Sequence, residues 1–439
     1  MKQYTLDKSK ILESMNQKGF KTQTELAEAL NITKNQLSVM LSNKFNPIKS
    51  NVMKLCNELD IEVTSIIQNS GQQLSFFENS QTNSTNKSNV ETNIDPEYLD
   101  ITNIIPNHSY NCVELFAGAG GLALGLEEAG FNSVGLVEND KNACKTLRCN
   151  RPNWNVIEED IIKVAQTGIR SYIGNVEVDL LSGGYPCQSF SYAGKRLGLN
   201  DVRGTMFYYY AKILEELKPK VFLAENVKGL LNDDNGKTLE TMINVFSDLG
   251  YKVTYRVLNA WDYGVAQKRE RLVIIGLRND IEFDFKFPKK FAYKPTLKDA
   301  LKDVPLSEGT TYPDKKRKVL ELVPPGGCWI NLPEEIAKDY MGKSYFSGGG
   351  KRGMARRISW DEPCLTLTCS PAQKQTERCH PDETRPFTVR EYARIQSFPD
   401  NWIFPCSISS SYKQIGNAVP CNLAKAIGLS IIDILNKMD

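Results

Sequence analysis

The feature that most constrains this chain is an alternation that begins at Asn111. Short apolar runs (CVELFAG, SVGLVEND, VDLLSGG, VFLAENV and LVIIGL) are separated by stretches of helical periodicity such as LALGLEEAGF. Short buried strands alternating with helices build a parallel sheet, so the predicted fold class is α/β. From about Asp280 to Pro386 the alternation is lost, and Pro, Gly and basic residues rise, as in VPPGGCW and SGGGKRGMARR. That predicts a loop-rich second lobe. After it, TVREYARIQSFPD and NLAKAIGLSIIDILNKM return to helical periodicity. With 439 residues, two or three domains are expected. No stretch approaches the ~20 apolar residues of a membrane span, and the first residues lack the apolar segment of a signal peptide. A cytoplasmic protein is the expectation.

Upstream of the alternation the composition changes twice. Residues 1–55 carry nine Lys against four acidic residues, a net of about +5. Between Asn69 and Tyr110 the chain is rich in Asn, Ser, Thr and Gln, which cannot bury enough apolar surface to order itself, and 69–110 reads as a flexible linker. Within TQTELAEALNITKNQLSVML, apolar Leu26, Ala27, Leu30, Ile32, Leu37 and Leu41 suit two short helices joined near Asn31–Ile32, with Thr33 as N-cap of the second. This spacing resembles the helix-turn-helix of phage-repressor-type regulators, whose second helix enters the DNA major groove. The resemblance turns Lys34, Asn35, Gln36 and Ser38 toward DNA. The usual turn glycine is absent, and a small helical docking module is the alternative.

Histidine is nearly missing: only His108 and His380 are present. Mechanisms built on a histidine base or a histidine ligand cluster therefore have almost no material. Eleven cysteines form no C-x-x-C pair, so no metal site is expected, and ten of them read as small buried hydrophobes. The eleventh differs. Cys187, in LLSGGYPCQSFS, follows Gly183, Gly184 and Pro186 where a strand must turn into a loop. A thiolate there is a candidate nucleophile. ELFAGAGG places Gly118, Gly120 and Gly121 between a strand and a helix, where the backbone can approach a ligand at the helix N-terminus. The next strand ends in Glu138–Asn139–Asp140, and an acidic group there can accept hydrogen bonds from ribose hydroxyls. Asp160 falls at a third strand end, where a helix cap is the alternative reading.

FAGAGG, GGYPCQSFS, AENV, QKRERLVIIG, TVREYARIQSFP and QIGNAVP, in this order across roughly residues 111–435, resemble the DNA (cytosine-5)-methyltransferases of bacterial type II restriction–modification systems. The resemblance implies a Rossmann-like methyltransferase sheet that binds S-adenosylmethionine, a small target-recognition domain, and the N-terminal all-α helix-turn-helix domain. The implied boundaries are 1–68 for the helix-turn-helix, 111–280 with 415–439 for catalysis, and 281–414 for recognition. It implies Phe116 near the adenine, Glu138 on the ribose, Asp160 on the adenine amino group and Asn417 near the methionine part, with Gly118, Gly120, Gly121, Asn139, Ile161 and Pro186 completing the cofactor set. Cys187 corresponds to the catalytic cysteine, Glu225 to the carboxyl group on cytosine N3 and its amino group, and Arg269 and Arg271 to arginines near the nucleophile and cytosine O2. Glu114 replaces the more usual Asp, and Asn139 a bulkier residue.

The implied partner is double-stranded DNA, with the catalytic part acting as a monomer and the N-terminal domain able to pair on an operator. The target cytosine must leave the stack to be reached. Ser189, with Lys195, Arg196 and Arg203 on the following loop, is implied to close on DNA; a solvated basic loop is the alternative. Between Lys343 and Arg378 seven basic residues stand against three acidic ones, which offers Arg356 and Arg357 for phosphates or bases, with Thr366 matching the recognition Thr. An RNA cytosine methyltransferase and an inert methylase-like regulator are the rival readings.

Overall fold

Tyr110–Leu115 (YNCVEL) is buried at every position but Asn111. A strand apolar on both faces needs cover on both sides, which places it in the middle of a layered structure. The computed structural model describes residues 5–20, 22–30, 34–41, 52, 55, 56, 58–61, 63–68, 98–186, 202, 204–346 and 353–438. In it this segment is β1 of a seven-stranded sheet, with β2 (Phe131–Glu138), β3 (Val156–Glu158), β4 (Leu180–Gly183), β5 (Val221–Val227), β6 (Tyr251–Asn259) and β7 (Glu270–Arg278). The strand order is β3-β2-β1-β4-β5-β7-β6.

The first five strands in that order are mutually parallel, whereas β7 runs antiparallel to both β5 and β6. The expectation of a wholly parallel sheet is corrected: the sheet is mixed. An apolar run such as LVIIGL marks a buried strand without fixing its direction. Direction follows from the short link between Asn259 and Glu270, because a parallel return needs a crossover of about a dozen residues or more.

Eight helices matter for the site: α1 (Gly121–Ala129), α2 (Lys141–Asn150), α3 (Ile161–Thr167), α4 (Met206–Leu217), α5 (Lys237–Asp248), α6 (Val389–Ile395), α7 (Ile408–Asn417) and α8 (Cys421–Asn436). Alternate strand residues feed two cores. Val113, Leu115, Leu181, Phe222 and Ile274 pack on α3, α4 and α5 through Val164, Tyr210, Met242 and Phe246. Cys112, Leu180, Leu223, Val273 and Ile275 pack on α1 and α8 through Leu122, Leu126, Leu423 and Ile427. The α1–α8 contact is very close: a Cβ on Gly121 would lie 2.2 Å from the Val419 carbonyl oxygen, and one on Gly125 2.3 Å from that of Cys421. Region 408–436 is long and apolar enough to cross a membrane, contrary to the sequence expectation. Yet 78% of its most apolar window is buried in the protein, as a core helix requires.

The folded unit starts before Asn111, which corrects the linker expectation for 98–110. Tyr98–Leu99 pairs with Phe287–Pro288, Ile101 is buried, and the Asn107 amide donates to Asn436 Oδ1 at 2.9 Å. Linker residues 69–97 lie outside the described residues. Region 280–386 is also less loop-like than expected. Helices Asp314–Glu321 and Glu334–Met341 surround a small core of Tyr312, Leu320, Val323, Leu332, Ala337, Ala355 and Cys379. Asp314–Glu321 (DKKRKVLE) buries only Leu320, so it carries no apolar stripe that periodicity can detect. A third core joins this lobe to the sheet, with Phe387, Tyr392, Trp402 and Tyr412 against Leu136 and Leu147.

The chain divides into two units, residues 1–93 and 94–439. The first contains helices Lys8–Gln17, Gln23–Ala29, Lys34–Leu41 and Val63–Ile66, and a two-residue ladder between Thr5–Leu6 and Ile67–Gln68. Asp7 and Thr22 cap the first two helices. Leu26, Ala27, Leu30, Leu37 and Leu41 are buried in its core, as their spacing predicts.

Candidate active site

The five parallel strands present their carboxyl ends on one edge, and antiparallel β7 presents its amino end there. From β1 the chain runs outward through β2 and β3, then returns to β4 and β5 on the other side. The switch point therefore lies between β1 and β4, where sheets of this kind bind ligands.

On the β1–β3 side the loop after β1 turns sharply. Phe116, Gly118 and Gly120 have φ of 58°, 54° and 81°. A left-handed Phe costs roughly 1–3 kcal/mol and persists only where its surroundings enforce it. Here the Ala117 amide donates to the Val137 carbonyl at 3.1 Å and the Gly118 amide to Glu138 Oε2 at 2.8 Å. Glu138 Oε1 also accepts from the amides of Asn139 (2.9 Å) and Asp140 (2.7 Å). About four lone-pair sites belong to a carboxylate, so Glu138 shapes the loop and still has acceptor capacity. Asn139 is exposed, and Asp140 caps α2 and pairs with Lys413 of α7 at 3.0 Å. Asp160 caps α3, its Oδ1 accepting from the Ile162 amide at 2.8 Å, and its side chain is exposed at the carboxyl edge of the sheet, with Ile161 buried beside it.

The glycines divide by what surrounds them. Gly118 has no foreign atom nearer than 4.0 Å to an added Cβ, whereas Gly120 would strike the Leu147 side chain at 2.6 Å and Gly121 the Val419 carbonyl. A side chain at Gly120 or Gly121 is thus excluded by the protein itself, whereas the turn at Gly118 is open. Helix α1 has no side-chain cap. Buried Glu114 has an unpartnered Oε2, and burial, then the Glu138 charge, hold its carboxyl well above the usual range. Asn417 is exposed at the end of α7, its Oδ1 accepting from Cys369 Sγ at 2.9 Å. This edge is rich in acceptors beside an aromatic ring, which suits a nucleoside with hydroxyl, amino and cationic groups.

On the β4–β7 side, the antiparallel register pairs Val273 with Glu225 and Arg271 with Val227. Arg271 therefore lies diagonal to Glu225 on one face. Arg271 Nε and Glu225 Oε1 are 2.7 Å apart, and the side chains are 13% and 15% exposed. Burial raises the Glu225 carboxyl above the usual range against the opposing pull of Arg271 and Arg269. Gly184 backs this carboxylate, since a Cβ there would come within 2.9 Å of Oε2. Arg269 is instead an internal strut: 2% exposed, it donates to the carbonyls of Leu367 (3.2 Å) and Gly416 (3.0 Å), and burial and Arg271 draw its guanidinium down to about 9. Pro186 is exposed where the chain leaves β4, and buried Asn226 donates to the Tyr185 carbonyl at 3.1 Å, holding that exit. Cys187, Ser189, Lys195, Arg196 and Arg203 lie outside the described residues.

The sequence reading missed Asn226, Cys369 and Lys413. Asn226 sits inside AENV beside Glu225, and its partner, the Tyr185 carbonyl, is 41 residues away, beyond any local signal. It also overstated buried cysteines, since Cys149 and Cys369 are exposed and Cys406 is half-buried.

The recognition segment needs a larger correction. Arg357 is 4% exposed and donates to the carbonyls of Val323, His380, Pro381, Glu383 and Leu320 and to Thr384 Oγ1. Arg356 is held by Glu362, with both oxygens at 2.7 Å, and by the Gly326 carbonyl. Neither guanidinium is presented to DNA as expected: Arg356 is taken up by the Glu362 carboxylate, and Arg357 satisfies buried backbone acceptors of its own lobe. Buried Arg378 does the same for Glu377 and Thr366 carbonyls. Thr366 donates to the Lys268 carbonyl at 2.7 Å, which ties the recognition segment to the start of β7. In the N-terminal unit Lys34, Asn35, Gln36 and Ser38 fall on the helix Lys34–Leu41; Ser38 is exposed, and the other three side chains lie outside what is described.

A model of the C-5 cytosine-specific DNA methylases matches residues 110–433. The chain belongs to that family. The C-5 cytosine DNA methylases are S-adenosylmethionine-dependent, and the acceptor-rich edge from Phe116 to Asp160 fits that ligand. A Cro/C1-type helix-turn-helix DNA-binding domain model matches residues 10–68 of this methylase. It is 58% identical over 438 residues to the type II methyltransferase M.Sau96I of Staphylococcus aureus, covering 99% of this chain and 100% of that one. It is also 58% identical over 345 residues to M.Eco47II of Escherichia coli, covering 76% and 82%. A solved putative DNA modification methyltransferase encoded within an E. coli prophage superposes with a TM-score of 0.56 at 26% identity, over 74% of this chain and 99% of that one. A Spodoptera frugiperda DNMT2 structure, at 19% identity and TM-score 0.55, shares the fold.

Proposed function

We propose that this methylase is a type II modification enzyme that methylates C5 of a flipped-out cytosine in duplex DNA through a covalent adduct with Cys187. The observation that carries the reading is the Glu225–Arg271 pair, set on the ligand edge beside the exit of the loop that leads to Cys187. S-adenosylmethionine, when bound, supplies a methyl group on a positively charged sulfur. Phe116, Glu138, Asp160 and Asn417 would hold it, with the Gly118 turn giving its backbone access.

Cytosine C5 is too weak a nucleophile to take that methyl directly. The Cys187 thiolate adds to C6, forming the S–C6 bond and pushing electron density to C5. A Glu225 carboxyl that burial keeps protonated to higher pH than usual can donate to N3 as charge builds in the ring. Arg271 would stabilise the same charge at O2, while Arg269 braces the strand behind it. With the donor bound, C5 would take the methyl carbon as the donor's sulfur–methyl bond breaks, leaving the neutral thioether. The C5 proton then passes to a base, its C–H electrons restore the C5–C6 double bond, and the S–C6 bond breaks to return the thiolate. No step needs imidazole. His380 fits this: it is buried, accepts from the amides of Asp382 and Glu383, and packs on Trp360 and Phe387.

The test is bisulfite sequencing of DNA from cells expressing the protein, which should reveal 5-methylcytosine at one short site. Methyl transfer to tRNA alone would overturn the reading. Cys187→Ala should abolish both transfer and trapping on 5-fluorocytosine duplexes. The helix-turn-helix match supports a second role, repression of its own operon. Asn35→Ala with Gln36→Ala in the full chain should remove binding to upstream operator DNA and spare methylation; unchanged operator binding would refute that role.

A further inference from the structure

Three buried polar side chains meet where the recognition segment, the amino end of β7 and the carboxyl end of α7 converge. Gln267 and Gln396 are fully buried and Arg269 nearly so. Gln267 Nε2 donates to Gln396 Oε1 at 2.9 Å, and Gln267 Oε1 accepts from the Leu367 amide at 2.9 Å. Gln396 Nε2 donates to the carbonyls of Ile415 (2.7 Å) and Ala418 (3.2 Å). Arg269 closes the figure, bonding the Leu367 carbonyl on one arm and the Gly416 carbonyl on the other. Leu367 is thus held at both its amide and its carbonyl by side chains from the strand entry that carries Arg271. The carbonyls on both sides of Asn417 are held by the same cluster. There is no slack in the backbone either: a Cβ on Gly416 would lie 2.4 Å from the Thr368 carbonyl oxygen.

A buried polar network tolerates displacement poorly, because moving one strand leaves donors unpaired on two others. Thr366 and Asn417 sit one residue from the clamped carbonyls of Leu367 and Gly416. We propose that Gln267 and Gln396 are positioning residues that couple the recognition segment to the cofactor pocket, so that duplex and cofactor each tighten the binding of the other. This rests on the reading of Thr366 as DNA-facing and Asn417 as cofactor-facing. Coupling of this kind is reciprocal, and it belongs to binding whether or not chemistry follows.

The experiment uses the full chain and S-adenosylhomocysteine as probe. Its Kd is measured by calorimetry with and without a duplex carrying the methylation site, for the parent, Gln267→Met, Gln396→Met and the double variant. In the parent the duplex should tighten the probe by roughly five-fold or more, the lower bound of ordinary allosteric coupling. In each single variant that factor should fall toward one, with the Kd of either ligand alone changed less than three-fold, and the double variant should lose no more. A variant that keeps the parental factor overturns the proposal, as does a parent without coupling. Should the variants fail to fold, hydrogen exchange on the parent decides. The probe alone should slow the Leu367 and Thr368 amides, and unchanged exchange there refutes the coupling. A parent that methylates DNA but shows no coupling refutes only this inference; one that neither methylates nor binds duplex refutes the functional reading beneath it.

Discussion

Arg271 and Arg357 are both arginines of the same folded unit, held by short hydrogen bonds, and they differ in what remains for a ligand. Arg271 stands on the sheet edge with its Nε against the Glu225 carboxylate at 2.7 Å, its Nη1 donating to the Glu270 carbonyl at 2.8 Å, and 13% of its side chain exposed. Arg357 is surrounded by carbonyls of its own lobe, with every guanidinium nitrogen engaged. The first arrangement is poised for charge that appears during a reaction. The second is a substitute for a hydrophobic core in a lobe whose helices are too polar to build a large one. A count of basic residues therefore says little about the surface a lobe offers to DNA until each guanidinium has been traced to its partners.

The contrast can be broken most decisively at the sheet edge. Glu225→Gln should lower kcat by roughly 10²–10⁴-fold, the usual range for a positioned acid, with little change in melting temperature. Arg271→Ala should follow with roughly 10²–10³-fold, again in kcat. Steady-state methyl transfer and thermal unfolding on the same samples check both; a large fall in stability would make Arg271 a strut like Arg357. Arg357→Met should reverse the pattern, destabilising the protein by about 3–4 kcal/mol as its carbonyls lose their donors. Denaturant unfolding would show this, with kcat per folded molecule retained.

His380 gives a gentler test of the same lobe. Burial, then Arg385, lowers its pKa below the ordinary 6.5. A depressed group stabilises the fold fully above its unfolded pKa and loses that contribution as pH falls through the folded value. The parent should therefore lose melting temperature below about pH 6.5 more steeply than His380→Gln, and parallel curves would remove the effect. The smallest change belongs to exposed Lys343 and Lys374. Substituting either by Ala should reduce the slope of log affinity against log salt by about one. An unchanged slope would mean that DNA does not lie on that side of the lobe.

Much of the sheet edge was legible because its chemistry depends on residues close in sequence to strand ends. ELFAGAGG, the acidic Glu138 and Asp160, and AENV all sit where a strand stops, and an apolar run followed by a turn signals that position well. Direction was not legible: LVIIGL reads the same either way, and only the short return from Asn259 to Glu270 makes it antiparallel. Nor was the reason for Gly121, which answers to a carbonyl at Val419 on a helix far away in sequence. The arginines of the small lobe were illegible for the same reason. Arg357 satisfies acceptors at Leu320, Val323 and residues 380–384, and nothing local distinguishes it from an arginine that faces solvent.

The contact of Gly121 with Val419 has a consequence for how the protein is made. Ribosomes release the chain from its amino end, so β1 and the turn through Phe116 emerge long before α8. Until residues 419–435 have cleared the exit tunnel, α1 lacks the helix against which its glycines pack. The turn through Phe116 is thus completed only by a segment far downstream in the chain. A nascent methylase therefore lacks this packing until α8 has emerged, and a chain truncated before Cys421 should show no cofactor affinity rather than a weakened one.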